Sequence, residues 1–269
     1  MGRYSGWVSR ESPIIPRPGF LYRLYQRRLR REIDPSQVPH HVAVIVDGNR
    51  RWAKLRLQEQ PAFGHRAGAQ KVPEFLGWSE EAGVKVVTLY LLSADNLVGR
   101  TPDELGDLFE IIGTLATELA SRGNWRIKHV GSCEGLSPEL TQALQSAEDS
   151  SKHHTGLHVN LAVGYGGRSE IAAAVHSIID AHQQRGGSID TLAETLTPEL
   201  IGEHLWTRGQ ADPDLVIRTS GEQRLSDFMI WQSAHSEFYF VEALYPDLRE
   251  VDFLRALRDY TQRHRRFGS

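Results

Sequence analysis

His41-Val-Ala-Val-Ile-Val-Asp-Gly-Asn-Arg-Arg-Trp-Ala-Lys54 changes character at its middle. Val42 to Val46 is a short, β-branched apolar run, which fits a parallel strand buried on both faces. It stops at Asp47, and the pair Gly48-Asn49 that follows permits a turn. In open α/β sheets, ligands bind in the crevice beyond the carboxyl ends of the strands. A carboxylate followed by Arg50 and Arg51 at such a place suggests a site for a metal and an anion.

Outward from this strand the pattern repeats. Apolar strand-like runs recur at Val84 to Leu92, Ile127 to Val130, Leu157 to Val163, Leu215 to Ile217 and Phe238 to Val241. Helical patterns lie between them, over 65–83, 101–123, 137–154 and 169–187. Two helix starts are well signalled, because Thr101-Pro102-Asp103-Glu104 and Ser137-Pro138-Glu139 supply a cap, a first-turn proline and early acids. This alternation predicts an α/β fold, a single domain with a mainly parallel central sheet of about six strands flanked by helices. Residues 1–18, rich in Ser, Pro, Gly and Arg, read as a flexible lead-in to a domain over 19–269. There is no internal repeat and no low-complexity tract.

The chain has 269 residues, 40% hydrophobic and 24% charged, an ordinary globular composition. Its net charge of -3 argues against a nucleic-acid binder driven by overall charge. The one cysteine, Cys133, rules out an internal disulfide and any multi-cysteine metal site, and reads as a small buried or loop residue. No segment approaches the roughly 18 to 20 apolar residues that cross a bilayer. The opening residues lack the apolar core of a secretory signal, so a cytoplasmic protein is expected. Residues 19–33, GFLYRLYQRRLRREI, interleave arginines with Leu and Tyr as a basic amphipathic helix. Such a helix either packs on its own domain or a neighbouring subunit, or touches an anionic membrane at its inner face.

Asp47, Gly48 and Asn49 alone are turn formers. With Arg50, Arg51, Lys54 and His65 close by, they carry more cationic and titratable potential than a turn needs. One carboxylate plus phosphate oxygens commonly holds Mg²⁺, so the set reads as a Mg²⁺-diphosphate site. A second cluster follows the run Leu215 to Ile217. Arg218 and Arg224, with Ser226, can fork onto one diphosphate, with Glu222 orienting an arginine. Taken alone, Arg218 and Glu222 equally fit a surface salt bridge. A third polar exit, Ser93-Ala94-Asp95-Asn96, follows the run to Leu92. Three such exits suggest one shared crevice, and two anion sites in it suit a reaction between two diphosphates.

Other motifs carry less. Gly164-Tyr165-Gly166-Gly167-Arg168 matches neither the dinucleotide fingerprint nor the Walker pattern, and reads as a tight bend into the next helix. The histidines lack zinc-site spacing, and no Gly-x-Ser-x-Gly elbow appears.

HVAVIVDGNRRWA, FGHRAGA, the Ser93-x-Asp95-Asn96 loop, LAVGYGGRSEI, DLVIRTSGEQRLSDFMIWQSAHSEFYF and the terminal RRFG together resemble the cis-prenyltransferases of the undecaprenyl diphosphate synthase type. The likeness runs in order from about His40 to Gly268. It implies a homodimer with a hydrophobic tunnel for the growing chain, condensing an allylic diphosphate with isopentenyl diphosphate. By that resemblance Asp47 is catalytic and holds Mg²⁺, helped by Gly48, Asn49, Arg51 and His65. Arg50, Trp52 and Arg100 fall among the substrate-binding positions. Arg218, Arg224 and Ser226 would take the diphosphate of isopentenyl diphosphate, and Glu237 would reach the metal from the partner subunit. Ser93 and the catalytic Asn96 belong to a mobile loop that positions isopentenyl diphosphate and removes its proton.

The chain departs from the family's usual residues at several places. Arg50 stands for a glycine, Asp95 for a Glu and Leu97 for a Trp. Leu55 to Ala62 carries one extra residue and no arginine immediately before Ala62-Phe63, which removes an expected phosphate contact. Long-chain members have a small residue at Leu91, where a leucine would narrow the tunnel, as in short-chain Z,E-farnesyl diphosphate synthases; the position also fits an ordinary core leucine. The expected reaction is geranyl diphosphate with isopentenyl diphosphate. The alternatives are a longer-chain decaprenyl or undecaprenyl synthase and a non-catalytic partner subunit.

Overall fold

Six strands, β1 (His41–Ile45), β2 (Val86–Ser93), β3 (Arg126–Val130), β4 (His158–Tyr165), β5 (Leu215–Arg218) and β6 (Glu237–Phe240), form one parallel sheet in the order β3-β4-β2-β1-β5-β6. Among the described residues ten α-helices accompany it. They are α1 (Phe20–Glu32), α2 (Asn49–Leu55), α3 (Pro61–Ala82), α4 (Ala94–Gly99), α5 (Pro102–Ser121), α6 (Pro138–Ser151), α7 (Gly167–Gln184), α8 (Ile189–Thr195), α9 (Pro198–His204) and α10 (Glu250–Gln262). This computed structural model describes residues 19–58 and 60–263, so the 1–18 lead-in and the terminal RRFG motif lie outside the described residues.

The central strands β1 and β5 are buried along their whole length, which is why they read as unbroken apolar runs. One face of the sheet packs Val42, Val44, Val87 and Leu89 against Phe75 and Leu76 of α3, Ile112 and Leu115 of α5, and Phe253 of α10. The other face buries Ala43, Ile45, Tyr90 and Val216 with Phe228 and Met229. At the margin of the first cluster, Val46, Ala69, Leu91, Leu97, Phe109 and Leu136 are only partly buried. An apolar surface is thus left half open close to the strand tips.

The helix starts read from sequence are in place. Thr101 Oγ1 accepts the Glu104 N–H at 3.3 Å, and Ser137 Oγ accepts that of Leu140 at 3.2 Å. The chain steps from β1 to β2 on one side, and returns after β4 to lay β5 on the other side of β1. Such a switch opens a crevice beyond the carboxyl end of the strand where the winding reverses.

One strand runs further than its apolar run implies. β4 continues through Gly164 to Tyr165, so the bend falls at Gly166. Tyr90 pairs with Ala162, Leu92 with Val163 and Ser93 with Tyr165, which leaves Leu91 as an extra residue on β2 and Gly164 as a matching extra on β4. Gly164 has φ 63°, and a Cβ there would lie 2.4 Å from the Ser132 carbonyl oxygen. Only glycine fits this position. Cys133 is exposed in a loop after β3. Among the described residues no helix is long and apolar enough to cross a membrane.

Candidate functional site

Asp47 lies two residues beyond β1 and Arg218 is the last residue of β5, and the register pairs Ile45 with Arg218. This parallel pairing brings together residues 171 positions apart in sequence. Arg218 Nη2 donates to Asp47 Oδ2 at 2.8 Å. Its Nη1 donates to Ser226 Oγ at 2.9 Å and to the Arg224 carbonyl oxygen. Burial alone would raise the Asp47 carboxyl, but the Arg218 hydrogen bond and charge, with the Gly48 N–H, hold it below the usual carboxylate range. The Arg218–Glu222 pair that the sequence also allowed does not form. Glu222 instead bridges Arg224 Nη1 at 2.9 Å and Arg51 Nη1 at 3.7 Å, and Arg51 Nη2 is 3.8 Å from Asp47 Oδ2.

The main chain around Asp47 is fixed by residues the sequence did not single out. Thr219 is fully buried; its hydroxyl donates to the Asp47 carbonyl at 2.8 Å and accepts the Asp47 N–H at 3.0 Å. Gly48 has φ 104°, and a Cβ there would meet Leu244 Cδ2 at 2.7 Å. The Gly64 and Gly68 positions of α3 let Asn49 approach closely, since a Cβ at either would strike its carbonyl or side-chain oxygen.

Arg224 and Ser226 ride on an unusual loop. Ser220, Ser226, Asp227 and Met229 all have positive φ, a conformation that costs a non-glycine residue about 1 kcal/mol or more. The loop is held from several sides. Tyr90 OH donates to the Ser226 carbonyl at 3.3 Å, while the Gly167 N–H reaches the Asp227 carbonyl at 2.7 Å and the Arg168 N–H reaches Asp227 Oδ1 at 3.1 Å. Just past the loop, Gln232 Nε2 donates at 3.0 Å to the buried Glu170 carboxylate, which also accepts from Trp206 N at 2.9 Å and Tyr165 OH.

His65, Arg50 and Arg100 form an adjoining basic group. Arg100 Nη1 donates to His65 Nε2 at 3.2 Å and to Glu104 Oε1 at 2.7 Å; Glu104 Oε1 lies 3.8 Å from Arg50 Nη1. Burial, then the charges of Arg100 and Arg50, push His65 down to about 4, so it is a neutral acceptor here. Ser93 caps α4, its hydroxyl accepting the Asn96 N–H at 3.1 Å, and both residues are half-buried.

Two sequence-stretch expectations separate from this group. Trp52 is buried, stacked on Phe63 at 5.5 Å between ring centres with the Arg56 guanidinium 4.8 Å from its ring. Its ring packs α2 on α3. Glu237 opens β6 and pairs with Leu215, which places it about 16 Å back along the strand direction from Asp47. It bonds Arg263. Within one chain Glu237 therefore cannot share an ion with Asp47, and only a second copy could bring it there.

The geometry can hold two anionic groups side by side, one at Asp47 and Arg51 and one at Arg218, Arg224 and Ser226. Asp47 suits Mg²⁺ as a single partly exposed carboxylate, with phosphate oxygens and water completing the shell. Among the described residues no three His, Cys, Asp or Glu side chains gather into a closed metal cage.

Comparison with known proteins gives the family. Residues 45–268 match the prenyltransferase family model described as "Putative undecaprenyl diphosphate synthase". Isoprenyl transferase 1 of Streptomyces avermitilis is 55% identical over 250 residues, 93% of this chain and 96% of that protein. The (2Z,6E)-farnesyl diphosphate synthase of Thermobifida fusca is 53% identical over 248 residues, 92% of this chain and 97% of that protein. The crystal structure of lavandulyl diphosphate synthase from Lavandula x intermedia in complex with dimethylallyl diphosphate is similar with a TM-score of 0.80 at 34% identity, covering 87% of this chain and 100% of that one.

Proposed function

The chain belongs to the undecaprenyl diphosphate synthase family of prenyltransferases, and from that premise we propose that it condenses geranyl diphosphate with isopentenyl diphosphate, in the presence of Mg²⁺, to give Z,E-farnesyl diphosphate. The observation that carries the reading is the 2.8 Å contact between Asp47 and Arg218, which sets a carboxylate and a guanidinium in one crevice. The relative from Thermobifida fusca named (2Z,6E)-farnesyl diphosphate synthase supports a short product. So does Leu91, partly buried at the apolar margin, where a large side chain would limit the room for a longer chain.

Mg²⁺, when bound at Asp47, supplies positive charge for the leaving diphosphate. Arg51 and Arg50 add to that charge as the allylic carbon–oxygen bond breaks. Arg218, Arg224 and Ser226 hold the diphosphate of isopentenyl diphosphate so that its alkene meets the allylic carbon. Ser93 and Asn96 orient the five-carbon unit and the proton it loses. The apolar margin at Val46, Leu91, Leu97 and Phe109 receives the hydrocarbon and keeps water from the cation. A homodimer, with Glu237 of a second copy reaching the metal, is part of the proposal.

The direct test uses purified protein with Mg²⁺, geranyl diphosphate and labelled isopentenyl diphosphate, followed by chain-length analysis. A fifteen-carbon product is expected. Decaprenyl or longer products would reassign the chain length, and no condensation with any allylic starter would end the prenyltransferase reading.

A further inference from the structure

α1 is apolar on both of its sides. Its inner face, Tyr22, Tyr25, Leu29 and Ile33, packs on Val251 and Leu254 of α10. That contact accounts for the helix being docked. It leaves unexplained the outer face, where Phe20 is 80% exposed, Leu21 77% and Leu24 55%. Scattered exposed leucines are ordinary, but three adjoining ones at one end of a helix are a patch.

The charges on the same helix sort in a revealing way. Arg28 pairs with Glu32, and Arg30 pairs with Glu81 and Glu250. Arg23, Arg27 and Arg31, spaced one turn apart along the outer side, are exposed and have no acid partner among the described residues. Phe20, Leu24, Arg27 and Arg31 fall at i, i+4, i+7 and i+11, so apolar groups and free cations share one face. The chain as a whole carries a net charge of -3, so a general attraction to anionic surfaces is not expected from it.

We propose that the outer face of α1 docks on the surface of an anionic lipid bilayer. Phe20, Leu21 and Leu24 enter the boundary between headgroups and acyl chains, and Arg23, Arg27 and Arg31 bind headgroup phosphates. An acidic protein partner would match the arginines but would not call for the apolar trio at the helix end. A second copy of this chain would cover the trio but would have to face one row of arginines with another. The docking does not depend on the reaction assigned above, and its test reads lipid binding directly.

The experiment is co-sedimentation of the full chain with phosphatidylglycerol-rich vesicles and with pure phosphatidylcholine vesicles, at low and high salt. Binding to the anionic vesicles alone, released by salt, is expected. Replacing Arg23, Arg27 and Arg31 together by Gln should weaken partitioning on the order of a hundredfold, at roughly 1 kcal/mol for each arginine. The triple change Phe20→Ser, Leu21→Ser and Leu24→Ser should also release the protein, with the circular dichroism of both variants unchanged. The proposal is overturned by no binding to anionic vesicles, by equal binding to both vesicle types, or by undiminished binding of the arginine variant. If the serine variant instead loses self-association in vesicle-free sedimentation, the face belongs to a subunit contact and the lipid assignment fails.

Discussion

At the scale of single residues, the Thr219 hydroxyl satisfies both main-chain polar groups of Asp47. Thr219→Val keeps the shape and removes both bonds, leaving the Asp47 N–H only the Ile45 carbonyl at 2.9 Å and the Asp47 carbonyl only the Tyr245 N–H at 3.1 Å. The expected cost is about 2 kcal/mol in urea denaturation, with a fall in kcat as the carboxylate loses its setting. Asp47→Ala goes further: turnover should fall by a factor on the order of a thousand while circular dichroism stays native, because charge stabilisation at the leaving group is lost. A modest loss would place the metal elsewhere. Asp47 and Arg218 were legible in the sequence because each ends a recognisable apolar run. Thr219 was not, since nothing local marks a threonine whose partner lies 172 positions away. The pairing of Glu222 with Arg51 and Arg224 rather than with Arg218 was likewise a matter of which strand tips become neighbours.

At the scale of elements, the loop that carries Arg224 and Ser226 is held in left-handed conformations by the start of α7 and by Tyr90, and Glu170 fixes Gln232 just beyond it. Glu170→Gln preserves the volume but sets an amide donor among the donors of Gln232, Trp206 and Tyr165. KM for isopentenyl diphosphate should rise about tenfold with a smaller change in kcat, as expected for one mismatched buried bond. An unchanged KM would show that the loop keeps its shape without this support. At the tip of β2, Leu91→Ala should lengthen the products, and an unaltered distribution would remove Leu91 from the apolar wall that limits them. The strands were visible in the sequence as β-branched runs. Helices α2 and α4 did not stand out as helices, because each opens among the Asn, Ser and Asp residues that also make turns and caps.

At the scale of the whole molecule, acid sensitivity follows from buried neutral imidazoles. His41 is fully enclosed, with Nδ1 2.7 Å from the Ala211 carbonyl oxygen and Nε2 2.8 Å from Thr88 Oγ1, and burial pushes it down to about 4; His65 is also held at about 4. The unfolded chain binds these protons near pH 6.5 and the folded chain does not. Their contribution is therefore intact above that value and declines as the pH falls toward 4, by on the order of 1 kcal/mol for each histidine at pH 5.5. Denaturant midpoints measured from pH 7.5 to 4.5 should show the decline, and a flat profile would mean that the imidazoles protonate without unfolding. Asp47, held below the usual carboxylate range, stays charged throughout this window.

The paired extra residues, Leu91 on β2 and Gly164 on β4, cancel each other, so Ser93 and Tyr165 fall back into step beyond them. Whatever side chain occupies position 91 can therefore be exchanged without transmitting a slip to the catalytic rim. Exchange at this one position is decoupled from the strand tips that carry Asp47 and Arg218.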